Sequence, residues 1–165
     1  MTATVRRLNH AVLYVRDARR AADFYGKAFG FEVVHETGDG AAVFMKAAGT
    51  DNHHDLGLFS IGPGAPGPER GRVGLYHLAW SVDSIEDLAA MRDRLVEMRA
   101  LVGASDHGAT KSLYGVDPDG NEFEVVWVVP REHWGAYEHD AAVMPLDLDA
   151  ELARYRTRRG VARRP

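Results

Sequence analysis

The chain of 165 residues is 45% hydrophobic and has a formal net charge of −4 with a pI near 6.0. This length and composition predict one domain with a real core, and the slightly acidic balance argues against a nucleic-acid partner. There is no cysteine, so disulfides and thiolate metal sites are excluded and a metal must use His, Asp or Glu. No apolar run suggests a signal segment or a membrane span, which predicts a cytoplasmic protein.

Two stretches of the chain follow the same plan. Residues 8–15 and 75–82 are both short β-rich runs with a His near the beginning, His10 in the first and His77 in the second. The two His residues lie 67 positions apart, and we take this distance as the offset of an internal repeat.

Each run is followed by an amphipathic helical pattern, over 18–29 in the first half and 84–98 in the second, with Asp17 or Asp83/Ser84 able to cap it. Further strands are predicted at 32–37, 41–46, 55–61, 112–116 and 122–129. Each half is roughly β-α-β-β-β, and a single such unit leaves one sheet face uncovered. We therefore expect an α+β fold in which two tandem βαβββ modules form one cupped sheet around a metal site.

We expect the whole chain, 1–165, to be a single domain. Module one covers about 5–62 and module two about 73–130, joined by a linker over 62–72 that is too rich in Gly and Pro for regular structure. A C-terminal tail follows over 131–165, with a short helix around 148–156.

The equivalence of His10 and His77 points to a metal, because two imidazoles that meet across a pseudo-twofold axis give suitable ligand geometry. A third ligand is expected near the turn signal Pro118–Gly120. If these residues form a three-residue hairpin with a Gly bulge, paired positions have numbers that add to 238 and Tyr114 lies opposite Glu124. A two-residue turn would place Tyr114 on the other face.

Glu122 and Glu124 share one face of the predicted strand, so periodicity alone does not choose between them. Glu124 precedes an apolar run and needs a partner there, which a cation would be, whereas Glu122 fits a solvated edge. The position equivalent to Glu124 in the first half is near Gly57, and the nearest carboxylate is Asp55. Two His and one carboxylate with open positions form the ligand set of non-haem Fe(II) oxygenases, although zinc hydrolysis could also use it.

These residues together resemble the vicinal oxygen chelate superfamily and, within it, the type I extradiol (catechol 2,3-) dioxygenases. The resemblance covers about residues 5–130. It rests on the two His-containing first strands and on the pattern Asp-Pro-Asp-Gly-Asn-x-x-Glu at 117–124, which is common across the superfamily. It implies His10, His77 and Glu124 as the metal ligands, with Fe(II) as the metal and Mn(II) compatible with the same set.

Two further segments are similar to the extradiol enzymes in particular. His54-Asp55-Leu56 resembles the segment that holds their acid–base His, and residues 106–110 followed by Tyr114 resemble their pocket-lining series His…Thr…Tyr…Glu. The resemblance implies His54 as acid and base, with His107 and Tyr114 as hydrogen-bonding groups toward substrate or O₂. Two departures are the short two-module chain and the short spacing from His107 to Tyr114.

The function implied is an oxidoreductase of aromatic catabolism that inserts O₂ into a catechol-type diol, in a homodimer or higher homo-oligomer. One alternative is a glyoxalase-like metal-dependent lyase or isomerase, against which the missing carboxylate near Gly57 counts. The other is a metal-free module that sequesters a small drug-like molecule. A complete metal triad argues against that alternative, because an unused buried Glu would be costly.

Overall fold

The computed structural model describes residues 2–140 and 142–159, with side chains up to residue 156. The chain divides into two compact units. The first unit is Met1–Glu69 with Pro118–Gly120, and the second is Arg70–Asp117 with Asn121–Pro165. Within the described ranges, no helix combines the length and apolar character needed to cross a membrane.

The first unit holds one helix and a four-stranded mixed sheet. Its elements are β1 (Ala11–Val15), α1 (Ala18–Phe29), β2 (Glu32–Glu36), β3 (Ala42–Lys46) and β4 (Leu56–Ser60). The strand order is β1-β4-β3-β2, with β1 and β4 parallel and the other neighbours antiparallel.

The second unit repeats this arrangement and adds the C-terminal segment. Its elements are β5 (Leu78–Val82), α2 (Ile85–Glu97), β6 (Leu101–Asp106), β7 (Thr110–Val116), β8 (Glu122–Val128), two 3₁₀ turns (Arg131–His133 and Gly135–Glu138) and α3 (Leu148–Arg159). The strand order is β5-β8-β7-β6, again with one parallel pair, β5 with β8.

The register of the parallel pairs confirms the repeat. Ala11 pairs with Leu56 in the first sheet, and Leu78 pairs with Phe123 in the second. Both members of the second pair follow their counterparts by 67 residues, which is the offset predicted from the two His residues. The α+β class and the two βαβββ modules are confirmed, and each module has its own four-stranded sheet. The single cupped sheet around a metal site stays a prediction.

The two crossover helices form where their caps and apolar stripes predict them. The Asp17 side chain accepts hydrogen bonds from the backbone N–H groups of the first turn of α1, and Gly30 ends that helix in the left-handed conformation with φ 72°. Ser84 caps α2 by accepting from the Asp87 N–H. The buried faces against the sheets consist of Ala18, Ala21, Ala22, Phe24, Tyr25 and Ala28 in α1 and Ile85, Leu88, Met91 and Leu95 in α2.

The structure differs from the prediction at several elements. Strand β6 was not predicted, because its sequence Leu-Val-Gly-Ala-Ser-Asp is poor in β-branched residues and its register shifts between Leu101 and Gly103. Strands β1 and β5 begin later than predicted, so His10 and His77 each lie immediately before their strand. Helix α3 extends to Arg159, beyond the predicted end at 156.

The C-terminal segment packs on the second unit through α3. Helix α3 contacts α2, and its residues Leu148 and Tyr155 are buried. The Tyr155 ring meets Trp127 of β8 edge to face, with ring centroids 4.9 Å apart. Leu148 and Tyr155 of α3 are therefore part of the core of this unit.

Candidate functional site

The β7–β8 hairpin has the turn that the sequence predicts. Asp117 N–H donates to the Asn121 carbonyl at 3.0 Å, and Gly120 has a left-handed φ of 90°. The paired positions add to 238, so Tyr114 lies directly opposite Glu124. The three-residue hairpin is confirmed, and with it the placement of Tyr114 and Glu124 side by side.

Glu124 is the carboxylate of β8 that meets a predicted ligand. Its Oε2 lies 3.0 Å from His77 Nε2, and its side chain is 12% exposed. Glu122, two residues earlier on the same face, instead pairs with Arg70, which is 96% exposed. The structure thus separates two residues that periodicity leaves equivalent.

The His77–Glu124 pair suits two neighbouring ligands of one divalent ion. Two donors at about 2.1 Å from an octahedral metal and at right angles to each other lie about 3.0 Å apart. His77 Nδ1 is buried, and within the part of the chain that the structure describes it has no hydrogen-bond partner. Among the described residues, no group of three or more His, Asp or Glu side chains is placed to hold a metal ion. His10, in the first unit, stays a prediction as the third ligand.

Tyr114 and His107 extend the cluster in the second unit. The Tyr114 ring lies 5.8 Å from the His77 ring between centroids, and its hydroxyl is 2.9 Å from His107 Nε2. Burial raises the pKa of Tyr114, and the negative charge of Glu124 raises it further. The tyrosine is therefore held as a neutral phenol that can donate its proton in a hydrogen bond. Four predicted site residues, His77, Glu124, Tyr114 and His107, are brought together in this unit.

The first unit brings together His10 and His54. Their ring centroids are 4.5 Å apart, and His54 Nδ1 also lies 3.0 Å from His53 Nδ1. Burial lowers the pKa of His54, and the neighbouring imidazoles of His10 and His53 lower it further. The predicted metal ligand and the predicted acid–base residue of this unit are thus neighbours.

An aromatic patch adjoins His54 on the first sheet. Phe44 meets His54 edge to face at 5.2 Å, meets Phe59 at 5.7 Å and is stacked with His35 at 6.2 Å, all between ring centroids. On β1, Tyr14 remains 71% exposed. The patch offers an apolar surface that accepts the face or edge of an aromatic ring.

Asp55 does not replace the missing carboxylate of the first unit. Its side chain accepts hydrogen bonds from the Ala47 N–H at 2.9 Å and from Asn52 Nδ2 at 2.7 Å. It therefore organises the turn before β4 and is not oriented as a free ligand. This finding agrees with the sequence interpretation that the position near Gly57 lacks a carboxylate.

One feature of the site was not predicted from the sequence. The Ala142 carbonyl oxygen lies 2.6 Å from His107 Nδ1, which connects the C-terminal segment to the cluster. A backbone carbonyl is common to every residue, so no residue type in the sequence indicates this contact.

Comparison with known proteins places most of the repeat in one family. The family model described as "Glyoxalase/Bleomycin resistance protein/Dioxygenase superfamily" matches residues 7–125. The chain is 32% identical over 128 residues to a catechol-2,3-dioxygenase of Bacillus subtilis, which covers 77% of this chain and 43% of that protein. It is 37% identical over 131 residues to biphenyl-2,3-diol 1,2-dioxygenase 3 of Rhodococcus globerulus, which covers 76% of this chain and 64% of that protein. The chain thus spans less than two thirds of the length of these two relatives.

Solved structures share the fold. A glyoxalase/dioxygenase from Nostoc punctiforme aligns with a TM-score of 0.62 at 21% identity, over 79% of this chain and 99% of that one. A lactoylglutathione lyase from Agrobacterium tumefaciens aligns with a TM-score of 0.55 at 26% identity, over 73% of this chain and 92% of that one. The matching family model and the repeated βαβββ unit agree, and the chain belongs to the glyoxalase/bleomycin resistance protein/dioxygenase superfamily.

Proposed function

We propose that the protein is an extradiol ring-cleaving dioxygenase that acts on a catechol-type aromatic diol with O₂. The observation that carries the proposal is the His77–Glu124 pair at 3.0 Å with the Tyr114 phenol beside it. The relatives named as catechol, methylcatechol and biphenyl-diol dioxygenases support this choice of chemistry. Because the chain spans only part of those relatives, their substrates are transferred here as part of the proposal.

The metal centre in this proposal is Fe(II) held by His10, His77 and Glu124, and Mn(II) could take its place. When bound, the ion would supply a Lewis-acidic, redox-active centre for the diol oxygens and O₂. Glu124 contributes a negative charge that offsets part of the charge of the ion. Only one carboxylate is used, because Gly57 stands at the equivalent position of β4.

The roles of the remaining residues follow from their contacts. His54 is proposed to accept the second hydroxyl proton of the diol and to return a proton to the product, since a neutral imidazole takes up a proton near pH 7 and the imidazolium so formed can release it. Tyr114 is proposed to donate a hydrogen bond to an oxygen on which negative charge develops. The aromatic patch of Phe44 and Phe59, next to His54, is proposed to contact the substrate ring.

The experiment that tests this function is anaerobic reconstitution with Fe(II), followed by catechol or 3-methylcatechol in air. Growth of a yellow absorbance with matching O₂ uptake, both lost when the iron is chelated, is the expected result. The protein reconstituted with Zn(II) is the control and should give neither signal, because zinc has no redox chemistry.

Other outcomes distinguish the alternatives. The observation on the side of a glyoxalase-like lyase is the likeness to lactoylglutathione lyase. Such an enzyme would bind one metal per chain and show no O₂ uptake. A metal-free binding module would take up no metal and return the diol unchanged. A homodimer or higher homo-oligomer belongs to the proposal as well, and sedimentation of the metal-loaded protein tests it.

A further inference from the structure

An isolated β-bridge joins the C-terminal segment, residues 131–140 and 142–159, to the edge of the second sheet. Asp106 N–H donates to the Met144 carbonyl at 2.8 Å, and Met144 N–H donates to the Asp106 carbonyl at 2.9 Å. This pair of hydrogen bonds extends β6 by one antiparallel bridge. It places Ala142 next to His107, the residue after Asp106.

The Ala142 carbonyl decides where the proton of a neutral His107 lies. Its oxygen is 2.6 Å from His107 Nδ1, and a carbonyl can only accept a hydrogen bond. Nδ1 must therefore carry the proton, which leaves Nε2 as an acceptor. Nε2 lies 2.9 Å from the Tyr114 hydroxyl, so the tyrosine donates to it. Both ring nitrogens of His107 are engaged in this chain of hydrogen bonds.

Other contacts hold the His107 loop and the C-terminal segment together. Gly108 has a left-handed φ of 75° and lies under the Tyr137 ring, where an added Cβ would be 2.1 Å from Tyr137 Cγ. Lys111 is buried and bridges the two parts, with Nζ 2.5 Å from Asp106 and 3.3 Å from Glu151 of α3. A buried ammonium group needs carboxylate partners, and Lys111 has both only when α3 packs on the second sheet as it does here.

We propose that the C-terminal segment is a positioning element of the site: the Ala142 carbonyl fixes His107 with its proton on Nδ1, and His107 Nε2 then orients the Tyr114 hydroxyl beside the His77–Glu124 pair. In the structure the one Tyr114 proton is donated to His107 Nε2, and a substrate oxygen that gains negative charge competes for that same proton. Tyr114 thus contacts the substrate, while His107 acts through Tyr114 as a positioning residue. The catalytic consequence rests on the proposed function, whereas the state of His107 does not.

The first test reads the His107 tautomer directly in the full-length wild-type protein. ¹⁵N-detected NMR of the imidazole nitrogens distinguishes a protonated from an unprotonated nitrogen, and a His107→Gln variant assigns the signals. The expected result at neutral pH is a protonated Nδ1 and an unprotonated Nε2. A proton on Nε2, or a mixture of both tautomers, in the wild-type protein would overturn the proposal without any variant.

The second test compares Met144→Pro with Met144→Ala. Proline removes the N–H that donates to Asp106, whereas alanine keeps it and changes only a partly exposed side chain. In the proline variant we expect a mixture of His107 tautomers and a loss of turnover of roughly 10-fold or more, with the alanine variant unchanged in both. A folded proline variant that retains the pure Nδ1–H tautomer contradicts the proposal.

The two readouts separate the two hypotheses. If the protein shows no dioxygenase activity but the tautomer shifts as expected, the proposed function fails and the positioning role stands. If activity is present and the tautomer does not depend on Met144, the positioning role fails and the proposed function stands.

Discussion

Gly57 and Glu124 occupy the same register position in the two sheets of the repeat. Phe44 pairs with Gly57 between β3 and β4 as Tyr114 pairs with Glu124 between β7 and β8. One unit therefore presents a carboxylate next to a phenol, and the other presents no side chain next to a phenyl ring. This asymmetry is the basis for expecting a three-ligand metal site with open positions.

A carboxylate introduced at position 57 tests that asymmetry. In Gly57→Glu we expect the metal to remain bound while most O₂ uptake is lost, because a fourth ligand would occupy a position needed by substrate or O₂. Gly57→Ala is the control, since an added Cβ lies 3.4 Å from Val12 Cγ2, an ordinary contact. Elemental analysis measures the bound metal, and an oxygen electrode measures O₂ uptake. Full activity in the glutamate variant would contradict the expectation that position 57 faces an open coordination position of the metal.

Glu124→Gln should remove the metal. The amide keeps the shape but loses the charge, and we expect metal content and turnover to fall together by roughly 100-fold or more. The matched control is Glu122→Gln, two residues away on the same face, where only the contact with exposed Arg70 is lost. Equal metal content in the two variants would show that Glu124 is not a ligand.

His54→Gln should separate metal binding from turnover. Removal of the imidazole leaves the proposed ligands intact, so we expect the metal to stay and turnover to fall by about 10²- to 10⁴-fold, the range for a general acid–base group. His53→Gln changes the neighbouring imidazole, which is the more exposed of the two, and should keep most of the activity. If both variants turned over at the wild-type rate, the acid–base role would belong to another group.

Tyr114→Phe should slow turnover without loss of metal. The change removes only the hydroxyl that contacts His107, and we expect a decrease of about 10²-fold if that hydroxyl stabilises developing charge. Tyr76→Phe is a suitable control, because Tyr76 also contacts the His77 ring but is 73% exposed. A larger loss in the Tyr76 variant than in the Tyr114 variant would reverse the assignment.

Gly115→Ala should destabilise the second unit. An added Cβ would lie 2.3 Å from Phe123 Cζ and 2.8 Å from the Ala100 carbonyl oxygen, so the core must shift. We expect a loss of about 1–3 kcal/mol in the free energy of unfolding, as for other overpacked sites. Gly103→Ala, where the nearest atom is 3.9 Å away, should cost little by comparison. Thermal unfolding of the two variants measures this difference in stability. Equal stabilities would contradict the close packing of Gly115 against Phe123.

Much of the fold could be predicted because the signals are local. The cap at Asp17, the apolar stripe of α1 and the Pro118–Gly120 turn each depend on neighbouring residues, and the turn alone places Tyr114 opposite Glu124. Strand β6 could not be predicted because its pairing, and not its own composition, makes it a strand.

Less of the candidate site than of the fold could be predicted from the sequence. The repeat indicates His10 and His77 by equivalence, but strand periodicity does not separate Glu124 from Glu122. The apolar run and the family resemblance favour Glu124, and the structure gives the two carboxylates different partners. The contact of Ala142 with His107 spans 35 residues and uses a backbone oxygen, so no pattern of residue types indicates it.

The most direct test of the central claim is product analysis after turnover of the Fe(II)-loaded protein with 3-methylcatechol under ¹⁸O₂. Mass spectrometry of the ring-opened product should show both atoms of one O₂ molecule incorporated, before any exchange with water, and none when the iron is chelated. A product without ¹⁸O, or an unchanged diol with iron bound at one ion per chain, would contradict a dioxygenase.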